Sequence, residues 1–165
     1  MSEENKALVR RWFEEVWNRG RAEAIDEMFA EDGVAHGLAG DAAPLRGPEA
    51  FRPFHRSFRD AFPDIEVTVE DVIAEGDKVA ALCSVRGRHQ GDTLGFRATN
   101  RPVEFTGMTF LRVRDGKIAE AWNNFDFMAM FQQLNAVEMR QPAADDEDAA
   151  GAANAKGYGR PEGGA

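Results

Sequence analysis

His89 lies where a histidine could take part in chemistry. It follows a run in which apolar Val79, Ala81, Cys83 and Val85 alternate with other residues, and it has the same parity as those four. A strand in which they share one face would therefore project His89 inward. There it could donate a hydrogen bond to a developing enolate oxygen or hold a water molecule. The alternative is a strand-end histidine that hydrogen bonds to the backbone.

Asp126 is the second candidate, at the end of a later predicted strand. Ile118, Trp122 and Asp126 share one parity, so strict alternation points the aspartate to the same face as the tryptophan. Trp122 could then line a cavity and pack on a flat ligand, and Asn124 could help to orient Asp126. Capping of the helix that follows is the alternative role for Asp126.

The remaining histidines are weaker candidates for a binding site. His36 ends a short extended segment and could line the mouth of the same cavity, although a loop histidine without a function is an equal alternative. His55 and Phe58 lie on an aromatic helical face and are candidate substrate contacts, with core packing as the alternative. The three histidines lack the close spacing of metal ligands, so the sequence predicts no metal site and no cofactor.

The elements that position these residues can be recognised from a change in the spacing of apolar residues along the chain. Apolar residues recur at helical spacing in three segments before Pro63, and from Ile65 the period becomes that of strands. Four strands are predicted from there to about Phe125, with turns at Gly76 and Gly116 and a loop over residues 90–101. Helices followed by antiparallel strands predict an α+β fold: a cone-shaped, curved sheet with three N-terminal helices enclosing a pocket.

Composition narrows the classes of function. The chain has 165 residues and a formal net charge of −9, which argues against nucleic acid as a partner. No apolar run approaches the roughly 20 residues of a membrane-spanning helix, and no secretory segment is evident, so we expect a cytoplasmic protein with no membrane partner. The sole cysteine, Cys83, is predicted to be a buried thiol. Residues 1–140 are expected to form the domain and residues 141–165 a disordered Ala/Gly/acidic tail.

Several motifs resemble one family. Residues 102–110 (PVEFTGMTF) and 115–126 (DGKIAEAWNNFD) are similar to the signature of the SnoaL-like polyketide (ester) cyclases, within the nuclear-transport-factor-two-like superfamily. The upstream motifs 47–49 (GPE), 62–65 (FPDI), 73–77 (IAEGD) and 86–91 (RGRHQG) resemble the same family. The resemblance covers about residues 3–135. The combination of these motifs is specific for the fold rather than for the reaction.

The resemblance implies a cofactor-free ring closure of aldol type on an apolar, carbonyl-bearing small molecule. It matches Asp126 to the family's acid/base aspartate and His89 to the family's pocket histidine. It also implies a homo-oligomer, either a dimer or a tetramer. The chain departs from the family in one place: many relatives have Glu-His-Trp-Asp where this sequence has Glu120-Ala121-Trp122-Asn123.

Two other functions fit the same resemblance. One is opening of an epoxide by a cyclase or hydrolase, which in this superfamily uses two carboxylates and an arginine around a water molecule. Asp126 and either Arg112 or Arg86 would have to meet in the pocket, and strand alternation places both arginines on the outer face. The other is a non-catalytic domain that binds a small ligand, which Ala121 and Asn123 would fit.

Overall fold

The computed structural model describes residues 2–38 and 43–136. Within them the helices are α1 (Ser2–Trp12), α2 (Glu23–Met28), α3 (Gly47–Ala61) and α4 (Phe127–Gln133). The strands are β1 (Phe29–His36), β2 (Leu45–Arg46), β3 (Glu66–Glu75), β4 (Lys78–Arg88), β5 (Pro102–Arg114) and β6 (Lys117–Phe125). The tail predicted for residues 141–165 lies outside the described residues and stays a prediction.

The six strands form one mixed sheet in the order β2-β1-β6-β5-β4-β3. All neighbouring strands are antiparallel except β1 and β6, which run parallel. The long β5 alternates buried and exposed residues along its whole length, as expected for a sheet with one covered face. The α+β class with a curved sheet and N-terminal helices is confirmed.

The first helix ends in an unusual turn. The sequence predicts one helix up to Gly20, but α1 passes at Phe13 into a π-helical segment, Phe13–Asn18. Its wider turn is visible in the bond from the Arg19 amide to the Glu14 carbonyl, at 2.9 Å. Such segments are rare and are found mostly at functional sites. Here the π-helical segment brings Phe13 and Trp17 to the wall of a cavity between the helices and the sheet.

One core fills the space between the helices and the inner face of the sheet. Apolar residues of α1, α3 and every strand from β3 to β6 belong to a single buried cluster. Cys83 on β4 is fully buried, and this burial raises the pKa of its thiol to about 12, with nearby Glu70 acting in the same direction. The prediction of a buried thiol is confirmed, and a thiol in this state is a poor nucleophile at neutral pH.

A β-bulge in β6 changes which residues face the core. Arg112 pairs with Glu120 but its neighbour Val113 pairs with Ile118, so Ala119 is an extra residue on β6. Ile118 and Ala119 are consequently both buried. A bulge of this kind reverses the alternation beyond it. After Ala119 the inward positions are therefore odd-numbered, which bears on every site residue predicted in this strand.

Candidate active-site cavity

An apolar cavity of about 70 Å³ lies between the helices and the inner face of the sheet. The helices contribute aromatic rings, and the strands contribute mostly aliphatic groups. From the helical side it is lined by Trp12, Phe13, Trp17, Phe51, Phe54, Phe58 and Phe127. Phe58 thus lies where a substrate contact was predicted. None of the side chains that line the cavity in the described part of the chain is ionisable.

Two polar side chains interrupt this apolar wall. Thr109 on β5 is 2% exposed, and its hydroxyl donates to Asn123 Oδ1 at 2.9 Å. Asn123 Nδ2 donates in turn to the backbone carbonyl of His36 at 2.9 Å. Because an amide nitrogen carries two hydrogens, one Nδ2–H of Asn123 has no acceptor among residues 2–38 and 43–136. Asn123 is partly buried and lines the cavity, so a donor of its amide that lacks a protein partner is suited to a ligand oxygen.

Thr109 and Asn123 were not predicted from the sequence to line the cavity. Asn123 stands where many relatives have an aspartate, but strict alternation placed it on the outer face. The bulge at Ala119 turns Asn123 inward together with Ala121 and Phe125, and all three line the cavity. Two features point to Asn123: the departure from the family pattern at this position, and the pairing of Asn123 with buried Thr109 on the neighbouring strand.

The prediction that Trp122 and Asn124 face the cavity was wrong for the same reason. Trp122 lies on the outer face, where its ring stacks on His36 at 5.4 Å between centroids and 14° between planes. Asn124 is exposed. His36, predicted at the cavity mouth, also points outward, with Nε2 2.9 Å from Glu120 Oε1. His36 and Trp122 contact each other on the surface, and neither lines the cavity.

Asp126 is exposed and forms the N-cap of α4. Its Oδ1 accepts the amide of Ala129 at 3.0 Å. The predicted inward orientation was wrong, because the bulge displaces this residue from the parity of Ile118, and helix capping is the role that the geometry shows. Both chain neighbours of Asp126, Phe125 and Phe127, nevertheless line the cavity.

His89 is buried as predicted but does not line the cavity. Its Nδ1 accepts the backbone amide of Thr99 at 3.1 Å, and its ring packs between Phe62 and Phe96 at 5.5 and 5.1 Å. Since Nδ1 is an acceptor, the neutral ring carries its proton on Nε2, and that atom is buried without a partner in the part of the chain that the structure describes. The predicted inward parity is confirmed. The predicted reach into a cavity shared with Trp122 was wrong, because the ring of Phe62 stands against His89 and Trp122 faces outward.

His55 is a core histidine rather than a cavity residue. It is 4% exposed, and its Nε2 donates to the carbonyl of Val16 at 2.6 Å. Burial lowers its pKa, nearby Arg59 lowers it further, and the bond to Val16 acts in the opposite direction. It is neutral at physiological pH and satisfies a carbonyl of the π-helical segment, which is the alternative that the sequence left open.

Residues 2–38 and 43–136 contain no group of three or more His, Cys, Asp or Glu side chains arranged to hold a metal ion. No helix in these ranges is long and apolar enough to cross a membrane.

Comparisons with known proteins agree on one family. A sequence model of the SnoaL-like polyketide cyclases matches residues 7–134. The chain is 31% identical over 129 residues to aklanonic acid methyl ester cyclase DauD of Streptomyces sp. (strain C5), which covers 77% of this chain and 79% of that protein. It is 30% identical over 139 residues to nogalonic acid methyl ester cyclase of Streptomyces nogalater, covering 80% and 95%.

Solved structures show the same fold. IdmH of Streptomyces antibioticus superposes with a TM-score of 0.69 at 36% identity, covering 79% of this chain and 98% of that chain. An epoxide hydrolase of M. tuberculosis superposes with a TM-score of 0.62 at 19% identity, covering 81% and 91%. At that identity the second likeness concerns the fold alone.

Proposed function

The chain belongs to the SnoaL-like polyketide cyclase family, and on that basis we propose that it closes a ring in an apolar polyketide ester held in the cavity. The observation that carries the proposal is a cavity with aromatic and aliphatic walls and one fixed polar pair, Thr109 and Asn123. Such walls suit a flat, neutral carbon skeleton, and the polar pair suits one of its carbonyl oxygens. The methyl esters named for two relatives are the substrate class that we propose to test.

The proposed reaction is an intramolecular aldol closure. A carbon flanked by carbonyls loses a proton, the resulting enolate carbon attacks a carbonyl carbon of the same molecule, and the new alkoxide takes up a proton. The reaction is an isomerisation and needs no cofactor. Negative charge lies first on the enolate oxygen and then on the new alkoxide oxygen, so a fixed donor at one of these oxygens stabilises the transition state in which charge develops there. We assign this role to the free Nδ2–H of Asn123.

We keep Asp126 as the proton acceptor in this proposal. None of the described cavity-lining side chains is a base, whereas the residues on either side of Asp126 both line the cavity. To reach a substrate its carboxylate would have to release the Ala129 amide, a single exposed hydrogen bond. His89 remains a candidate electrostatic partner, because its unpaired Nε2–H would become available if Phe62 or Phe96 moved aside.

The cavity must widen when a substrate enters. Its volume of about 70 Å³ is well below the roughly 300–1,000 Å³ of most ligand sites. The lining residues that are only partly buried, Leu38, Phe54, Phe125 and Phe127, are the ones with room to move. We therefore expect substrate to enter past these side chains.

Turnover of an aromatic polyketide methyl ester by three variants tests the assignment. N123A removes the donor, and we expect turnover to fall by roughly 10²–10³-fold, as when an oxyanion-hole donor is lost. D126N keeps an N-cap residue but removes the base, and a fall of roughly 10²–10⁴-fold is expected. T109V is the comparison: it keeps the Asn123 donor but removes one of the two bonds that orient it, so its loss should be smaller than that of N123A.

Binding is followed separately by the fluorescence of Trp12 and Trp17, which line the cavity. Wild-type turnover by folded N123A would refute the role of Asn123, and wild-type turnover by D126N would leave Asp126 as a helix cap only. If the wild-type protein binds the ester but does not turn it over, the ligand-binding alternative is favoured. The absence of ionisable groups from the described cavity wall already supports that alternative. Epoxide opening has less support, because its carboxylates and arginine are also missing from that wall.

We also propose that two copies of the chain associate through the outer face of the sheet. Ile73, Leu82, Met108 and Phe110 are exposed there by 42–66%. Leu82 pairs with Met108, and Phe110 pairs with Trp122. Ile73 joins the same patch, because Ile73 and Phe110 both pair with Ala80. We call these five residues the outer apolar stripe.

A second copy fits the outer apolar stripe better than a charged partner does. Exposed apolar patches of this kind usually mark an interface. Charges of both signs border the stripe, in the pairs Arg112–Glu120 and Arg86–Glu66. Two identical faces can therefore meet without placing surfaces of the same charge against each other. The alternative of a tetramer and the cytoplasmic location stay predictions from the sequence.

A further inference from the structure

Four side chains form a connected group on the outer face of the sheet. His36 Nε2 lies 2.9 Å from Glu120 Oε1, and Arg112 Nη1 lies 3.3 Å from Glu120 Oε2. The His36 ring stacks on Trp122, and the Arg112 guanidinium lies 5.7 Å from the centre of the Trp122 ring. None of the four lines the cavity. We call His36, Glu120, Trp122 and Arg112 the outer-face brace.

The brace lies directly behind the polar group of the cavity. His36 contributes its side chain to the brace, while its backbone carbonyl accepts the hydrogen bond from Asn123 Nδ2. Trp122 is the chain neighbour of Asn123 and pairs with His36 at the last position of the β1–β6 ladder. At Gly37 (φ 80°) a Cβ would lie only 2.2 Å from the Asn123 carbonyl oxygen. The end of β1 and the Asn123 backbone are therefore in close contact.

The orientation of the Asn123 amide depends on two different strands. Thr109 on β5 holds its oxygen, and the His36 carbonyl on β1 holds its nitrogen. The terminal torsion of an asparagine has a broad energy well, so the amide turns readily when one partner moves. His36 is the last residue of β1 paired with β6, so no further pair of that ladder holds its carbonyl and the side-chain contacts of His36 help to place it.

We propose that His36 and Glu120 are positioning residues, which hold the His36 carbonyl where it orients the Asn123 amide toward the substrate. This inference rests on the proposed role of Asn123. A single partly exposed hydrogen bond between side chains contributes little to the free energy of unfolding. Loss of the pair should therefore appear in the geometry of Asn123 and in catalysis rather than in stability.

The first experiment reads the Asn123 amide directly and needs no substrate. Its side-chain NH₂ resonances are assigned in a ¹⁵N NMR spectrum by their disappearance in N123A. E120A and H36F should shift or broaden these resonances, whereas E120Q, which keeps an oxygen acceptor for His36, should leave them near their wild-type positions. E66A is the matched control, since it breaks another outer-face ion pair, Arg86–Glu66, on a distant strand. Unchanged Asn123 resonances in both E120A and H36F would overturn the proposal.

The second experiment is kinetic. E120A should lower kcat by about 10-fold and should leave KM nearly unchanged. The loss should not exceed the roughly 10²-fold loss in rate that a displacement of about 1 Å causes. In the N123A background E120A should have no further effect, because the group that it positions is gone. Equal, additive losses in both backgrounds would overturn the proposal. If the wild-type protein has no turnover, the function fails while the spectroscopic result still decides the positioning role. Molar mass is measured for each variant, so that a change of assembly is recognised.

Discussion

At the scale of single residues, burial and hydrogen bonding decide which titratable groups are reactive. His55 and His89 are both buried, yet they differ in what they satisfy. His55 Nε2 donates to a backbone carbonyl, whereas His89 Nε2 has no partner in the described chain. Asp126, the residue on which the sequence analysis relied most, is exposed and caps a helix. Residue type alone distinguishes none of these roles, because each depends on neighbours that come from other elements.

His55 should make the stability of the protein depend on pH. Burial lowers its pKa in the folded state below the ordinary value of 6.5, so as the pH falls the unfolded chain takes up a proton first. The stabilisation that neutral His55 provides is complete above about pH 6.5 and is lost as the pH falls below that value. Urea unfolding of wild type and H55Q at several pH values measures this. The free-energy difference between them should shrink toward acidic pH.

H36Q provides the control for this titration. It removes a half-buried histidine from the surface, so the pH dependence due to His55 should remain in this variant. Parallel stability curves for wild type and H55Q would show that His55 does not contribute to the pH dependence.

At the scale of the elements, the strand irregularities decide the shape of the cavity. The extra residue Ala119 turns Asn123 and Phe125 inward, and Phe125 then needs space on the neighbouring strand. Gly107 provides that space. It pairs with Phe125, and a Cβ at Gly107 would lie 2.2 Å from Phe125 Cδ1. The bulge in β6 and the glycine in β5 act together, since the inward phenylalanine could not be accommodated without both.

G107A should therefore destabilise the domain and alter the cavity. The added methyl group has to displace the Phe125 ring, and overpacking of a filled site typically costs about 1–3 kcal/mol. Urea unfolding gives the stability, and the tryptophan fluorescence titration gives ligand affinity, which should also change because Phe125 lines the cavity.

The matched control is G87A on β4. A Cβ there meets its closest neighbour, Phe62 Cβ, at 3.4 Å, and Gly87 is not among the glycines with positive φ. G87A should therefore be close to wild type. Equal stability of G107A and G87A would contradict the packing argument.

At the scale of the whole molecule, the two faces of the sheet have different roles. The inner face and the helices enclose the cavity, while the outer face carries the outer apolar stripe. An outward face of an antiparallel sheet is ordinarily polar. Its apolar centre is therefore best explained by contact with another protein surface, and the proposed dimer places it there.

Charged substitutions in the stripe test the dimer. L82K/M108K should give a monomer by light scattering at concentrations where the wild-type chain has twice the monomer mass, because two buried lysines cannot be paired across a two-fold axis. T68K/T106K adds the same charge to exposed threonines elsewhere on this face and should remain dimeric. A monomeric wild-type chain at every concentration, or a dimeric L82K/M108K, would refute the interface.

The class of the fold and the approximate limits of strands β3 to β6 could be predicted from the sequence alone. Helical spacing before Pro63 and alternation after Ile65 are local signals, and turns such as Asp115-Gly116 are equally local, so each could be recognised without tertiary contacts. The family resemblance and the core position of Phe58 follow from the same local patterns. Parity also predicted correctly that His89 is buried, because β4 is regular from Val79 onward.

Only the tertiary structure decided which polar residues meet at the cavity. Alternation along β6 failed at Ala119, because a bulge depends on pairing with β5 and leaves no mark in the sequence of β6 alone. That one residue moved Trp122, Asn124 and Asp126 away from the cavity and turned Asn123 into it. The Asn123 amide is then oriented by Thr109 and by the carbonyl of His36, 14 and 87 residues away along the chain. Contacts between such distant positions arise only when the sheet closes around its core.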